Sequence, residues 1–502
     1  MARASAPDRT PPTPGAPRTP RTPRGSRDPR GPAAPRPGLI LAFLCVVQST
    51  VYLDVTIVNV ALPSVQRSLH MAEGDLQYVV TAYGTVLGGF LLLGGRLADA
   101  FGRRRLLRTG LALFGAASLA AGLTQDAGLL IGARGVQGLG AALTAPAALS
   151  ALTTTFPQGA ARNKALGIWG ALAGVASVLG VLLGGLLTQG PGWRWVFFIN
   201  VPIALFAVLA APSVLPESRA TGTRRGFDTA GAVTLTAGLL LLVHTLNEAV
   251  TAGWASARTV GGLAGAAVLL TTFVVVELRA KQPLLPLRVF RLRALRIANA
   301  TTVLTFGAMV TLFFFASLFM QQVLGYDALK TGLAYVPLAV AVAVGAGVAS
   351  GLVAKAPAKA VLVAGLALGA CGLLLLARLP VGAGYADRVL PAFLIVGVGL
   401  GMAFVPLQIA AALGVDARES GLAAGLINTS QEAGGALGLA VTSTLAFSRI
   451  QPDALPAARA TGFHHAFFAA ASLAAAALVL AAVFLPAVRP AAAPESAAAP
   501  AG

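Results

Sequence analysis

The amino-acid sequence predicts an all-α protein that crosses a membrane many times. Of its 502 residues, 56% are hydrophobic and 11% are charged, and the mean hydropathy is +0.78. Soluble domains carry about 25% charged residues, and a helix needs about 20 apolar residues to cross a bilayer. Apolar segments of about this length, separated by short charged loops, therefore indicate a polytopic membrane protein.

Fourteen apolar segments follow one another between two ends of biased composition. Residues 1–38, rich in Pro and Arg, are expected to form a disordered cytoplasmic arm, and residues 488–502, rich in Ala and Pro, a disordered tail. The predicted spans cover residues 39–61, 77–96, 106–124, 129–152, 166–188, 195–215, 229–249, 260–279, 298–321, 331–353, 358–379, 389–413, 421–446 and 465–487.

The basic residues indicate how these spans are oriented. They concentrate in the loops that follow even-numbered spans, including Arg103 to Arg105, Arg162 with Lys164, and Lys355 with Lys359. Short loops rich in Lys and Arg stay in the cytoplasm. With an even number of spans, both termini are therefore expected to be cytoplasmic, and the protein is expected in the cell membrane.

Composition also argues against several other functions. The net charge of +19 lies in the N-terminal arm and the short loops, so no nucleic-acid partner is predicted. The sequence lacks a phosphate-binding loop motif, which disfavours an ATP-driven pump. The four His do not cluster with acids, so neither an enzyme, a metal site nor a cofactor is predicted. Cys45 and Cys371 lie in apolar runs and are expected to pack.

The segment Gly94–Arg105 joins two apolar spans and carries Arg96, Asp99 and three consecutive Arg residues. It resembles the signature loop between helices 2 and 3 of major facilitator superfamily transporters. The resemblance implies two six-helix halves, over residues 39–215 and 298–487, with residues 229–279 as two inserted helices. It also implies a cytoplasmic gating loop formed by Gly95, Asp99, Gly102, Arg103 and Arg104.

Two charged residues lie deep inside apolar spans. Leu53–Pro63 resembles a motif of the fourteen-helix drug–proton antiporters, and Leu130–Ala142 resembles their R-x-x-Q-G-x-G-A-A motif. At 1.5 Å per residue, Asp54 and Arg134 both lie about 22 Å from the cytoplasmic face. Charges at that depth are costly and are usually functional. Proton coupling is one interpretation, and a static ion pair or a packing carboxyl bonded to Thr56 or Asn59 is the alternative.

Span 5 carries glycines that permit close helix packing, Gly180, Gly184 and Gly185. The segment Ala176–Gly185 resembles the antiporter motif G-x-x-x-G-P-x-x-G-G, but Val181 replaces its Pro and Ala176 its first Gly. Gly434 and Gly438 in span 13 are counterparts from an internal repeat. Further segments typical of the family are Gly192–Pro202, Gln321–Tyr326, Gly332–Pro337 and Gly421–Thr429.

Glu432 is a second acid far inside a span, either a proton carrier, a counter-ion for a cationic substrate, or a packing residue. Glu277, at the inner end of span 8, is expected to be solvated. Aromatic side chains can bind drugs through stacking and cation–π contacts, although most aromatics in apolar helices pack. The candidates for a substrate cavity are Tyr52, Tyr83, Trp169 and Phe306.

The expected function is proton-coupled export of hydrophobic or cationic drugs, including antibiotics, by alternating access of the two halves. Small substrates, protons and the lipid bilayer are the expected partners. A facilitator-type exporter of one dedicated metabolite or self-made antibiotic is the alternative, and a channel is disfavoured by the antiporter motifs.

Overall fold

The computed structural model describes residues 37–156, 160–217, 228–280, 283, 291–353, 355–413, 420–448 and 456–486. The predicted terminal arm up to residue 36 and the tail 488–502 lie outside the described residues. Within the described ranges the protein is helical throughout and contains no strand.

In the described residues, fourteen long helices correspond to the fourteen predicted spans. They are α1 (Pro37–Leu69), α2 (Tyr78–Phe101), α3 (Arg103–Leu123), α4 (Ala127–Thr155), α5 (Ala160–Gln189), α6 (Asn200–Val214), α7 (Thr229–Ala252), α8 (Ala257–Arg279), α9 (Arg293–Leu318), α10 (Ala328–Leu352), α11 (Ala358–Leu376), α12 (Leu390–Ala412), α13 (Ser420–Phe447) and α14 (Pro456–Phe484). A short helix, Trp195–Phe198, precedes α6.

Twelve helices in the described part of the chain are long and apolar enough to cross a membrane. The two other long helices are α5, whose apolar stretch in the described residues is Val178–Gln189, and α13, which contains Glu432. The all-helical polytopic fold predicted from composition is therefore confirmed.

Several helices begin at a side chain that caps them. The carboxylates of Asp126 and Asp327 accept hydrogen bonds from backbone amides of α4 and α10, and Asp228 and Ser256 do the same for α7 and α8. Such caps satisfy backbone donors that a helix leaves unpaired at its start. The turns between spans are thus specified locally by the sequence.

The link between α2 and α3 is much shorter than the predicted loop. Residues 94–101 continue α2, residues 103–105 begin α3, and Gly102 is the single non-helical residue between them. Its φ of 106° is a conformation that favours glycine. The predicted loop is therefore mainly two helix ends, and its basic residues mark one end of the bundle. We call this the basic end, defined by Arg103, Arg104 and Arg105.

The two six-helix halves repeat the same packing. In the first half α1 packs against α5 and α6, and α4 against α2 and α3; in the second half α9 packs against α13 and α14, and α12 against α10 and α11. Between the halves, α5 packs against α10 and α2 against α13. The inserted pair α7–α8 lies outside, with α7 against both α2 and α13.

The hydrophobic cores are distributed unevenly along the bundle. Away from the basic end, buried residues of both halves form one cluster, which includes Ile57, Val181, Leu312 and Tyr335. Towards the basic end, one cluster contains described residues of the first half alone. Another is built mainly from the second half. The halves are therefore joined most extensively at the end opposite the basic residues.

Candidate functional site

Asp54 and Arg134 form a buried ion pair at the centre of the first half. Asp54 comes from α1 and is 0% exposed, whereas Arg134 comes from α4 and is 1% exposed. The guanidinium Nη1 lies 2.5 Å from Asp54 Oδ2. Thr56 and Asn59, the partners considered for Asp54 from the sequence, instead donate to backbone carbonyls of α1. The two charges at matching predicted depth are thus in direct contact.

A fixed set of groups orients the guanidinium. Arg134 Nε donates to the Val79 carbonyl at 2.8 Å, and Nη1 also donates to Gln137 Oε1 at 3.0 Å. The guanidinium lies over the Tyr83 ring, 4.4 Å from its centroid, where the ring face attracts a cation. Tyr83, a candidate for the substrate cavity, is therefore buried within the ion-pair cluster.

Three polar side chains that are not among the predicted site residues complete the cluster. Gln137 Nε2 donates to Ser118 Oγ at 2.7 Å and to Asp54 Oδ1 at 3.3 Å. Asn200 Nδ2 donates to the same Asp54 oxygen at 2.7 Å. Their signal in the sequence was polar side chains inside apolar spans, since such groups form hydrogen bonds between helices. Five helices, α1 to α4 and α6, thus meet around one carboxylate.

Glu432 occupies a different environment, between the two halves. It is partly buried, and a side chain at Gly84 of α2 would lie 3.2 Å from its Oε2. At Gly88, an added Cβ would lie 2.7 Å from the Glu432 Cβ. In the described part of the chain, no cationic side chain forms an ion pair with Glu432. The carboxyl group therefore lies where α13 crosses α2, without an ion-pair partner among the described residues.

The other aromatic candidates differ in their surroundings. Tyr52 is partly buried on α1, two residues before Asp54. Phe306 on α9 contacts Phe404 on α12, with ring centroids 6.4 Å apart. Trp169 packs against the cluster confined to the first half.

The predicted packing glycines lie at close helix crossings. A Cβ on Gly180 would meet Thr56 Oγ1, and one on Gly184 would lie 2.8 Å from the Ile57 carbonyl. Gly185 faces α10 instead, with the Ala328 carbonyl 2.7 Å from the added Cβ. Val181, which replaces the family Pro, is buried within the continuous helix α5.

In the predicted gating segment, Arg104 and Arg105 contact residues just after α6, whereas Arg96 donates to the Pro283 carbonyl outside the first half. Arg104 donates to the Leu215 carbonyl at 3.1 Å, and both Arg104 and Arg105 lie 3.6 Å from a Glu217 oxygen. A Cβ on Gly95 would make only ordinary contact with Pro146, at 3.7 Å. The side chain of Asp99 lies outside the described residues.

Glu277 is buried rather than solvated. It is 3% exposed, and an added side chain at Gly231 would contact both Glu277 and Asp228. The sequence placed Glu277 near a helix end but could not show that α7 covers it.

The end opposite the basic residues is closed by polar contacts between the halves. Gln322 Nε2 donates to Gln66 Oε1 at 3.1 Å, and Gln321 Nε2 donates to the Val60 carbonyl at 3.0 Å. Leu329 N donates to Gln189 Oε1 at 3.2 Å. A polar cleft of about 680 Å³ opens beside these contacts and includes Arg67 and Arg459.

Several known proteins with similar sequences are named as antibiotic resistance or export proteins. The chain is 39% identical to a puromycin resistance protein of Streptomyces alboniger over 82% of either chain. It is also 39% identical to a cephamycin export protein of Amycolatopsis lactamdurans, over 86% of this chain and 89% of that one.

Comparison with solved structures agrees with the fold. A peptide transporter crystallised with sulfate superposes with a TM-score of 0.65 at 16% identity, over 91% of this chain and 95% of the other. The family profile described as Major Facilitator Superfamily matches residues 44–439. This multi-pass protein of the bacterial cell membrane therefore belongs to the major facilitator superfamily and is a transporter rather than an enzyme.

Proposed function

We propose that this protein exports hydrophobic cationic compounds, antibiotics among them, in exchange for protons. The observation that carries the proposal is the pair of intramembrane acids in contrasting environments. Asp54 is fully buried and paired with Arg134, whereas Glu432 is partly exposed without a cationic partner in the described residues. The first environment suits a proton site, and the second suits a counter-ion for a substrate.

Coupling at Asp54 would require its surroundings to differ between the two conformations of the transporter. Arg134 and the two amides stabilise the ionised carboxylate, because an adjacent cation and hydrogen-bond donors favour the charged form. If alternating access separates Asp54 from Arg134, the same buried carboxyl loses that support and binds a proton. Movement of the first-half helices against one another would thus couple proton binding to conformation.

The basic end is proposed to face the cytoplasm, because short loops rich in Arg remain on that side. The halves share their largest core cluster at the opposite end, which supports a conformation that faces the cytoplasm. Substrate would enter between the halves from the cytoplasm or inner leaflet. There it would meet Glu432, with the Tyr52 and Phe306 rings as further candidates for substrate contact.

The six-helix halves, the inserted pair α7–α8 and the terminal segments are proposed as the functional divisions of the chain. The segment around Gly102 is proposed to stabilise the cytoplasmic end of the first half. Its Arg residues hold the end of α6 through Leu215 and Glu217.

A dedicated exporter of one antibiotic is a second candidate, favoured by relatives named for puromycin and cephamycin. An exporter of several compounds and an exporter of one antibiotic differ in their range of substrates, and both would use the same proton chemistry. The names of the relatives include both a nucleoside antibiotic and a β-lactam, so both chemical classes belong in the test.

Everted membrane vesicles with an acidified lumen test the proposal. Addition of ethidium, tetraphenylphosphonium or puromycin should dissipate the pH gradient in vesicles containing the protein, and an uncoupler should abolish drug accumulation. A zwitterionic cephamycin tests the alternative. The proposal fails if no compound changes the gradient and uncouplers leave drug accumulation unchanged.

A further inference from the structure

Asn200 is placed to respond to the charge state of Asp54. It is the first residue of α6, separated by Ile199 from the short helix Trp195–Phe198, and it is 0% exposed. Its Nδ2 donates to Asp54 Oδ1 at 2.7 Å. Its own Oδ1 is buried and has no hydrogen-bond partner in the described structure. A buried amide oxygen without a partner is costly, and this one is free to accept a hydrogen bond from Asp54 if the amide turns.

The other groups bonded to Asp54 cannot supply such an arrangement. Arg134 has hydrogen-bond donors only. Gln137 is held at both ends of its amide, since its Oε1 accepts from Arg134 and its Nε2 donates to Ser118. Asn200 is the one amide of this cluster whose oxygen is uncommitted, and it can turn over without breaking another described hydrogen bond.

We propose that Asn200 is a positioning residue that stabilises Asp54 in both protonation states by reversing its side-chain amide. With Asp54 ionised, the amide Nδ2 donates to the carboxylate, as described. When a proton from water binds Asp54 Oδ1, the new O–H becomes a donor, and the amide turns so that Asn200 Oδ1 accepts from it. No atom other than this proton is gained, and the donor and acceptor roles exchange between the two side chains.

The surroundings of Asp54 contain few other titratable or charged groups. Arg134 faces it from α4, and the Tyr83 phenol lies on α2 beside Arg134. Glu432 lies on α13 against Gly84 and Gly88 of α2, and the Tyr52 phenol lies on α1, two residues before Asp54. Arg194, before α6, points away, because its Nη2 donates to the Thr124 carbonyl and it stacks on Trp193. Lys330 of α10 stacks on Tyr326, and Arg293 and Arg296 lie at the start of α9.

This inference rests on the proposed proton-coupled export, and its test separates the two. Everted vesicles containing full-length protein are assayed with ethidium across a range of pH, and the midpoint of the drug-induced loss of the pH gradient is recorded. Substrate counterflow without a pH gradient is measured on the same vesicles. If the wild-type protein gives no response to the drug, the proposed function has failed rather than the role of Asn200.

Two variants of Asn200 and one control are compared. Asn200→Leu keeps the shape and removes both donor and acceptor, while Asn200→Asp keeps the shape and adds a second carboxyl. The control Asn299→Leu removes another buried amide, which bonds the Leu295 carbonyl and Ser430 in the second half. A merely structural amide would behave alike at both positions.

For Asn200→Leu the midpoint should move by about 1 pH unit towards higher pH. The ionised Asp54 loses a charge-assisted hydrogen bond, whereas the protonated Asp54 loses only a weaker neutral one. The substitution therefore destabilises the ionised state more. Asn200→Asp should move the midpoint further in the same direction, because two adjacent carboxyls resist double ionisation. The control Asn299→Leu should keep the wild-type midpoint and the wild-type counterflow. An unchanged midpoint in Asn200→Leu or Asn200→Asp, with reduced amplitude alone, would overturn the inference.

Discussion

At the scale of residues, the properties of the site follow from one carboxylate buried among matched donors. Asp54 and Arg134 are together almost inaccessible to solvent. Removing one member of such a pair leaves a buried charge without compensation, whereas removing both can be nearly neutral. If the pair only stabilises the fold, replacing both residues should preserve transport. If the pair is needed for transport, the double variant should be stable but inactive.

Stability measurements on single and double variants use this asymmetry. We expect Arg134→Met to lower the free energy of unfolding by about 3–5 kcal/mol, because Asp54 is left unpaired. The double variant Asp54→Asn with Arg134→Met should recover most of that loss. Thermal unfolding of the purified proteins in detergent measures both effects, and drug efflux should remain absent in the double variant. Full efflux by the double variant would show that the pair is structural only.

Glu432 gives a second prediction, on substrate charge. Its carboxylate has no cationic partner among the described residues, so a bound cation would supply the neutralising charge. In Glu432→Gln, affinity for tetraphenylphosphonium should fall about tenfold, equivalent to about 1.4 kcal/mol. Binding of an uncharged hydrophobic compound should change little. Equal loss of binding for charged and uncharged compounds would instead assign Glu432 to packing.

The sequence predicted the depth of single residues along their helices, but it did not predict which side chains of other helices contact them. Depth along two spans placed Asp54 and Arg134 at one level, because helical rise is constant. It could not place Asn200 or Ser118 beside them, since the rotation of α3 and α6 about their axes depends on tertiary packing. For the same reason Glu277 was expected in solvent, although α7 buries it.

At the scale of elements, close helix crossings depend on glycine in corresponding places of the two halves. Gly180 and Gly184 of α5 lie against α1, and Gly434 and Gly438 of α13 lie against α9. The sequence repeat predicted this correspondence. It did not predict that the link between α2 and α3 is reduced to Gly102, because the charged residues around it suggested a loop.

A pair of matched substitutions tests the crossings. A Cβ on Gly438 would lie 2.2 Å from the Gly307 Cα, whereas nothing lies within 4 Å of one on Gly369 in α11. Gly438→Ala should therefore reduce stability by about 1–3 kcal/mol through overpacking. Gly369→Ala should be neutral or slightly stabilising, because alanine favours helix. Thermal unfolding measures the difference, and equal effects would contradict the described packing of α9 on α13.

At the scale of the whole molecule, the halves are joined at the end opposite the basic residues and have largely separate cores near the basic end. Composition and motifs predicted the two halves and the inserted pair. They could not predict which end is closed, because both states of a rocking transporter are made from the same sequence.

Crosslinking tests whether opening of this end is needed for transport. Gln66→Cys and Gln322→Cys, combined with replacement of Cys45 and Cys371 by Ser, place two thiols where the side chains now share a hydrogen bond. A short bifunctional thiol reagent should join them and abolish most efflux, and each single-cysteine variant should remain active. Undiminished efflux from the crosslinked protein would contradict alternating access through this end.

The most direct measurement of proton coupling uses purified protein in liposomes that contain a pH-sensitive dye. An imposed gradient of ethidium should drive protons in the opposite direction in the wild-type protein. Asp54→Asn should retain ethidium counterflow and lose the proton movement, because the buried site can no longer ionise. Proton movement in Asp54→Asn equal to that of the wild-type protein would contradict the assignment of Asp54 as the coupling site.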